Sequence, residues 1–417
     1  MDSIKGKKLL VLGGSSYMIG PILQAKSMGV YTIVTDLHGI EKAPAKLVAD
    51  EYWDISLMAY DQLVPKIKEC KVDGILTGFT DAFLQAYQHL CELTGLPCYL
   101  TKELIGKTLS KSDFKNMCRN NGLPVVPEYS LETFSPSVID KQNRVIIKPV
   151  DNSGSNGITI CDDPNNFEEL LNYSLSFSAK RQIIIEQYIE LDSISVSYTI
   201  QDGVPSLSTI NDDYLYKTPN AGAVNCGGRY PSKYIDFYVG KYDSLVKSML
   251  INEGFKNGVL FMQAFTNGEV LYFFEMGYRL SGGRHYILTE NQNNSSSLKQ
   301  LINFALTGRM ANYTIADRDN AYFKDVCYRF NLIGNPGRVA KIEGFDYLQN
   351  MDNIIHASLL KQEGDEVGLP GTTATQLLCA YAVVKDHSHF KRLLDDVYEN
   401  VRFLDAEGKN LVIRIEH

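Results

Sequence analysis

The first hundred residues alternate short apolar runs with segments of helical period. KLLVLG (8–13) is an apolar run ending in glycine, and a helical segment follows over about 18–28. VYTIVTD (30–36) is a second run, ending in an acid. A helix closes across 66–70, and VDGILTG (72–78) makes a third buried run. Residues 82–94 read as a helix and GLPCYL (95–100) as a further strand. Strands separated by helices predict a parallel sheet with helices on its faces.

After residue 106 the pattern changes. SKSDFKNMCRNNGLPVV (110–126) predicts an amphipathic helix stopped by Gly122 and Pro124, then a strand. RVIIKPVDNSGSNGI (144–158) is a strand entering a small-residue loop, and RQIIIEQYI (181–189) is a strand rich in β-branched residues. ISVSYTIQDGVPSLST (194–209) predicts a hairpin. GVLFMQAFTNGEVLYFFEMGYRL (258–280) predicts another, turning at Thr266-Asn267-Gly268. SSSLKQLINFALTG (295–308) is a helix with a serine-rich start and a glycine end, and a mixed unit occupies 312–417. The expected fold class is α/β (α+β). The expected units are 1–105, 106–311 with a flap over about 146–200, and 312–417.

Composition narrows the function classes. The 417 residues are 44% apolar and 22% charged, ordinary for a globular chain of two or three domains. A formal net charge of −8 without any basic run argues against a nucleic-acid partner. No stretch approaches a membrane span, and the apolar run LLVL is too short for a leader's core, so it reads as a first strand. The eight cysteines are scattered without a CxxC pair, which points to reduced thiols in a cytoplasm rather than to disulfides or zinc.

Four places carry candidate chemistry. The turn GGSSYMIG (13–20) is an incomplete GxGxxG, and Asp36 ends the second strand where a dinucleotide fold would place its ribose acid. That supports an NAD-dependent oxidoreductase only weakly, and a plain strand-to-helix turn reads as well. Lys148 stands before a glycine-rich loop. Gly154 and Gly157 allow converging amides there, and Ser153, Ser155 and Asn156 add donors for an anion. A polar hairpin turn fits the same residues. The strand end at Glu186 could offer backbone groups to an adenine, or could be an ordinary strand end. In the second hairpin, Gln263 and Glu275 fall near opposite positions, where their oxygens could hold a hard cation. Arg279 follows as a planar cation for phosphate or carboxylate, Gly282-Gly283 allow close backbone approach, and His285 could orient an acceptor or act as a base.

The order of these parts resembles the ATP-grasp superfamily over nearly the whole chain. Its branch with biotin carboxylase, the carbamoyl-phosphate synthetase large subunit and glycinamide ribonucleotide synthetase is the most similar. The resemblance implies that residues 1–105 are a Rossmann-like pre-ATP-grasp domain whose Gly14, Ser15 and Ser16 help hold an acceptor. It implies ATP contacts at Lys111, Lys148, Ser153–Gly157, the hinge Glu186, Gln187, Tyr188 and Ile189, and Asp192 with Ser193. It makes Glu275 the principal Mg²⁺ ligand beside Gln263, with Mn²⁺ as a substitute, and Arg279 the group facing the reacting phosphate. Three positions depart from the family: Gln263 stands for an acid, Gly277 for asparagine, and Ser193 for an acid, with Asp192 adjoining it. The implied activity is an ATP-dependent carboxylate–amine ligation through an acyl phosphate. A non-catalytic or weakly active ATP-binding protein of the same fold is the alternative. Partners would be small-molecule carboxylate and amine substrates, with no nucleic acid and no membrane, and a homodimer would fit the family. Arg229 and Lys217, in 211–235, are candidates for anionic substrate groups.

Overall fold

The computed structural model describes residues 4–150, 157–217, 223–369 and 371–415. Strands Lys8–Leu12, Tyr31–Thr35, Glu51–Trp53 and Gly74–Leu76 pair in parallel, with Lys8–Leu12 and Tyr31–Thr35 at the centre. Helices cover the sheet, so Leu9 to Leu12 are wholly buried, which explains a run apolar at successive positions. The helix Ser297–Thr307, from far along the chain, packs on Gly74, where any side chain would overlap the Ala305 carbonyl. The first sheet is thereby fixed to the rest of the molecule.

GLPCYL is not a strand; this corrects the expectation. Tyr99 is buried and meets the rings of Tyr87 and Tyr278 at 5.4 and 5.2 Å, so the segment is apolar through packing rather than pairing. The expected strand at 124–126 shrinks to one bridge from Val125 to Phe273, followed by a two-residue strand, Glu128–Tyr129. The strand Glu51–Trp53 was not anticipated.

Helices Lys102–Leu109 and Lys111–Asn120 begin at Thr101 and Ser110, whose side chains accept from Leu104 N and Asp113 N. A small antiparallel sheet follows, in the order Glu128–Tyr129, Ile183–Gln187, Val145–Pro149, Thr159–Cys161. Helix Phe167–Ser176 backs it around a core of Val145, Ile147, Phe167 and Ile185.

The largest sheet has nine strands. Both expected hairpins lie in it, as Asp192–Gln201 with Val204–Tyr216 and Gly258–Thr266 with Leu271–Gly277. In Asp192–Gln201, serine or threonine at 193, 195, 197 and 199 alternates with the buried Ile194, Val196, Tyr198 and Ile200, so one face is polar and the other enters the core. The ladder crosses residue 311: Val224–Tyr230 pairs with Val326–Gly334, which pairs with Gln376–Val384. Strands from either side of that boundary share one sheet. Among the described residues no helix is long and apolar enough to cross a membrane. All eight cysteines are free thiols.

Candidate active site

A cavity of about 1220 Å³ lies where the three main sheets meet. Asp81 and Ala82 reach it from a short helix after the Gly74–Leu76 strand, Lys111 from a helix start, Lys180 and Gln182 from the turn before the Ile183–Gln187 strand, and Glu275 from the large sheet. Two predicted residues far apart in sequence, Lys111 and Glu275, therefore face one space.

Lys148 ends its strand as expected, but its ammonium donates to Glu186 Oε2 at 2.6 Å and lies 5.8 Å from the centre of the Phe274 ring. Lys115, which sequence reasoning passed over, donates to Glu186 Oε1 at 2.5 Å and to Glu128 Oε1 at 2.9 Å. Its side chain is wholly buried. Its signal was present: three residues before the buried Cys118, Lys115 lies on the apolar face of its helix. Burial opposes ionisation of Glu186, yet the ammonium groups of Lys148 and Lys115 outweigh it and hold the carboxyl below the usual glutamate range. In the hinge that follows, the N–H groups of Gln187 and Tyr188 donate to the carbonyls of Pro127 and Arg144 at 3.0 and 2.9 Å. Arg144 stacks on the Tyr188 ring at 4.4 Å, beside Ile189.

Gln263 and Glu275 stand directly opposite one another across the hairpin ladder. The Gln263 amide donates to Ser195 Oγ at 3.3 Å, and Ser195 donates to Asp213 at 2.8 Å. One carboxylate and one amide oxygen on adjacent strands fit a Mg²⁺ that takes its remaining ligands from phosphates and water. No cluster of three or more acidic, histidine or cysteine ligands occurs among the described residues. At Gly277 a side chain would run into the ring of Phe261, and the Arg279 guanidinium lies over that ring at 5.1 Å. The missing asparagine is thus tied to an aromatic shelf for Arg279. Arg279 itself forms a two-point ion pair with Asp81, at 2.6 Å through Nε and 2.5 Å through an Nη.

The remaining candidates separate. Ser153, Gly154, Ser155 and Asn156 lie outside the described residues. Gly157 has φ +75° and sits against Phe177 and Pro149. Asp192 pairs with Lys233 at 2.7 Å, and Ser193 donates to Asp213 at 3.1 Å. Both line a second cavity of about 270 Å³, together with Arg229, which lies 3.7 Å from Asp212. Gly14 N–H is held by Asp36 at 2.8 Å, and any side chain at Gly13 or Gly14 would meet Phe83 or Ala43. These glycines serve close packing and Asp36 is already engaged, which removes the structural support for a nicotinamide site. Ser15 precedes the short helix Ser16–Met18. Gly282 has open space around it, while Gly283 abuts the His285 ring. His285 Nδ1 meets the Tyr230 hydroxyl at 2.7 Å; burial, then the Arg329 charge, push its pKa down to about 3. A neutral, enclosed imidazole suits orienting better than proton transfer. Sequence reasoning also missed two buried arginines near it, Arg284 and Arg329.

A family model for an ATP-grasp domain matches residues 109–251. The chain is similar to the formate-dependent phosphoribosylglycinamide formyltransferase of Sulfolobus acidocaldarius, 21% identical over 215 residues, 49% of this chain and 53% of that protein. It thus spans about half the length of that relative. Among solved structures, phosphoribosylglycinamide synthetase from Anaerococcus prevotii superposes with a TM-score of 0.73 at 18% identity, covering 96% of this chain and 100% of that one. L-amino acid ligase from Bacillus licheniformis gives 0.77 at 13% identity, covering 96% and 99%. At such identities these structures speak for the fold. Residues 109–251 thus match an ATP-grasp domain, and the chain as a whole shares the fold of these structures.

Proposed function

We propose that the chain is an ATP-dependent ligase that activates a carboxylate as an acyl phosphate and passes it to an amine. The observation that carries this reading is the shared cavity, lined by Lys111 and Glu275 together with Asp81 and with Lys180 from the turn before the small sheet's Ile183–Gln187 strand. ATP supplies the phosphoryl group, and Mg²⁺ offsets its charge. Glu275 and Gln263 would hold the ion through oxygen. Lys111 and Lys148 offset phosphate charge, with Glu186 fixing Lys148 in place. Arg279, oriented by Asp81 and by the Phe261 ring, steadies the transferred group. Exclusion of water from the cleft would protect the hydrolysable intermediate. The named relatives, a formyltransferase, a synthetase and a ligase, agree with joining chemistry of this kind.

ADP and phosphate release, followed over a panel of acids paired with amines, tests the reading. Release that requires both an acid and an amine supports ligation. ATP binding with no release across the panel favours a non-catalytic nucleotide-binding protein, a reading that the single acid at the metal position also suits.

A further inference from the structure

Beside the cleft lies a much smaller cavity of about 30 Å³, room for one or two water-sized molecules. Asp81 lines the large cavity and Arg279 the small one, so their ion pair is the wall between the two. The small cavity is rich in hydroxyls, from Ser197, Thr199, Ser208 and Thr289, and His285 also lines it. Two of these polar side chains carry a buried atom with no partner among the described residues, Ser197 Oγ and His285 Nε2. Ser197 is 9% exposed and stands opposite Phe261 on the polar face of its strand. The Tyr230 hydroxyl meets the other nitrogen of His285 at 2.7 Å and so fixes the ring. The charged groups around the cavity are already engaged. Arg279 is paired with Asp81, and Asp319, behind Ser208, accepts from Ser206, Ser208 and Ser295 at 2.8, 2.6 and 2.7 Å. Burial, then the Arg329 charge, hold His285 at about 3, so its ring is neutral at pH 7. With its charges paired and two hydrogen-bonding atoms unmet, the cavity suits a small neutral molecule that both donates and accepts.

We propose that this cavity holds the amine of the ligation, that Ser197 and His285 bind its nitrogen, and that the amine is no larger than ammonia or methylamine. This rests on the ligase reading above. Arg279, which steadies the transferred group in that reading, forms part of the cavity wall, so a nitrogen held there lies next to the acyl phosphate. Its lone pair attacks the acyl carbon, the carbon–oxygen bond to the phosphoryl group breaks, and phosphate leaves with that electron pair. The proton shed by nitrogen goes to the departing phosphate, because an imidazole with so low a pKa is too weak a base to take it. With ammonia, an acyl phosphate thus gives an amide and hydrogen phosphate, balanced in atoms and charge. Either tautomer of His285 leaves Nε2 one hydrogen bond to make, and an amine serves both, since it accepts through its lone pair and donates through N–H. An amino acid would bring a carboxylate and a side chain for which about 30 Å³ has no room.

NMR of the histidine rings in the full-length protein tests the assignment, at mildly alkaline pH and constant ionic strength. The resonances lost in His285→Gln identify His285. Ammonium chloride and methylamine should each shift them saturably, whereas glycine, tetramethylammonium and potassium chloride should not. Ser197→Val, which fills the cavity with carbon, should weaken the ammonium response at least about tenfold, and Ser197→Ala, which keeps the space, should weaken it less. No shift with ammonium, an equal shift with glycine or tetramethylammonium, or a wild-type response in folded Ser197→Val would overturn the proposal. An equal shift with potassium would make this a cation site and overturn it as well. ADP release is followed on the same wild-type protein over the panel of acids and amines. Release that requires an amino acid and is not supported by ammonium contradicts the small amine while keeping ligation, and failure to bind Mg·ATP counts against the ligase reading itself.

Discussion

Glu186 shows how one buried side chain can hold a site together. It receives Lys115 at one oxygen and Lys148 at the other, and its own side chain is 1% exposed. Glu186→Gln would leave Lys148 without its counter-charge and Lys115 with Glu128 alone. The expected loss is about 3–5 kcal/mol at neutral pH, read by denaturant melting. The folded pKa is lowered, so this stabilisation is fully present above the ordinary glutamate range. It fades as pH falls through the lowered folded value. The gap between wild type and Glu186→Gln should therefore shrink in acid, and a gap that stays constant would mean the charge is not what stabilises. Gln263 is the second informative residue. Opposite Glu275, Gln263→Glu adds an anionic oxygen where a metal would sit. Mg²⁺ binding in the ATP complex should tighten by on the order of 1 kcal/mol or more. Unaltered Mg²⁺ dependence in the folded variant would mean that Glu275 is not a metal ligand.

The hairpins were legible because turn and strands carry independent local signals. Gly203 with Pro205, and Thr266-Asn267-Gly268, mark the turns, and alternation then fixes the faces, so Gln263 could be set against Glu275 from sequence. GLPCYL misled because a run buried by aromatic packing looks like a strand. Lys115 was passed over because its helix offered Lys111 at the family position, and only the tertiary partner Glu186 distinguishes the two lysines. Gly277 looked like a lost asparagine, whereas the structure gives its space to the Phe261 ring. Gly277→Asn should overpack the strand and cost roughly 1–3 kcal/mol. Adding Phe261→Ala should cost less than the two single changes summed. Strict additivity in that double-mutant cycle would separate Gly277 from Phe261.

At the scale of the whole molecule, the order of parts was readable and their closure was not. Each part has its own motif, but Asp81 and Arg279 meet across 198 positions, and Tyr17, Arg284 and Arg329 converge from separate sheets and turns. No local pattern encodes such meetings. They follow from the long sheet and from the helix Ser297–Thr307 that pins the N-terminal sheet through Gly74. The account's centre is that nucleotide phosphates bind beside Lys148 in the cleft between these sheets. Calorimetric titration of Mg·ATP into wild type and Lys148→Ala tests it directly. Glu186 keeps Lys115 as its partner in that variant, so the fold should persist. The account predicts saturable binding by wild type and affinity weaker by at least about tenfold in Lys148→Ala, for the loss of a charge-assisted contact. Equal affinity in the two folded proteins, or no binding by wild type, would contradict it.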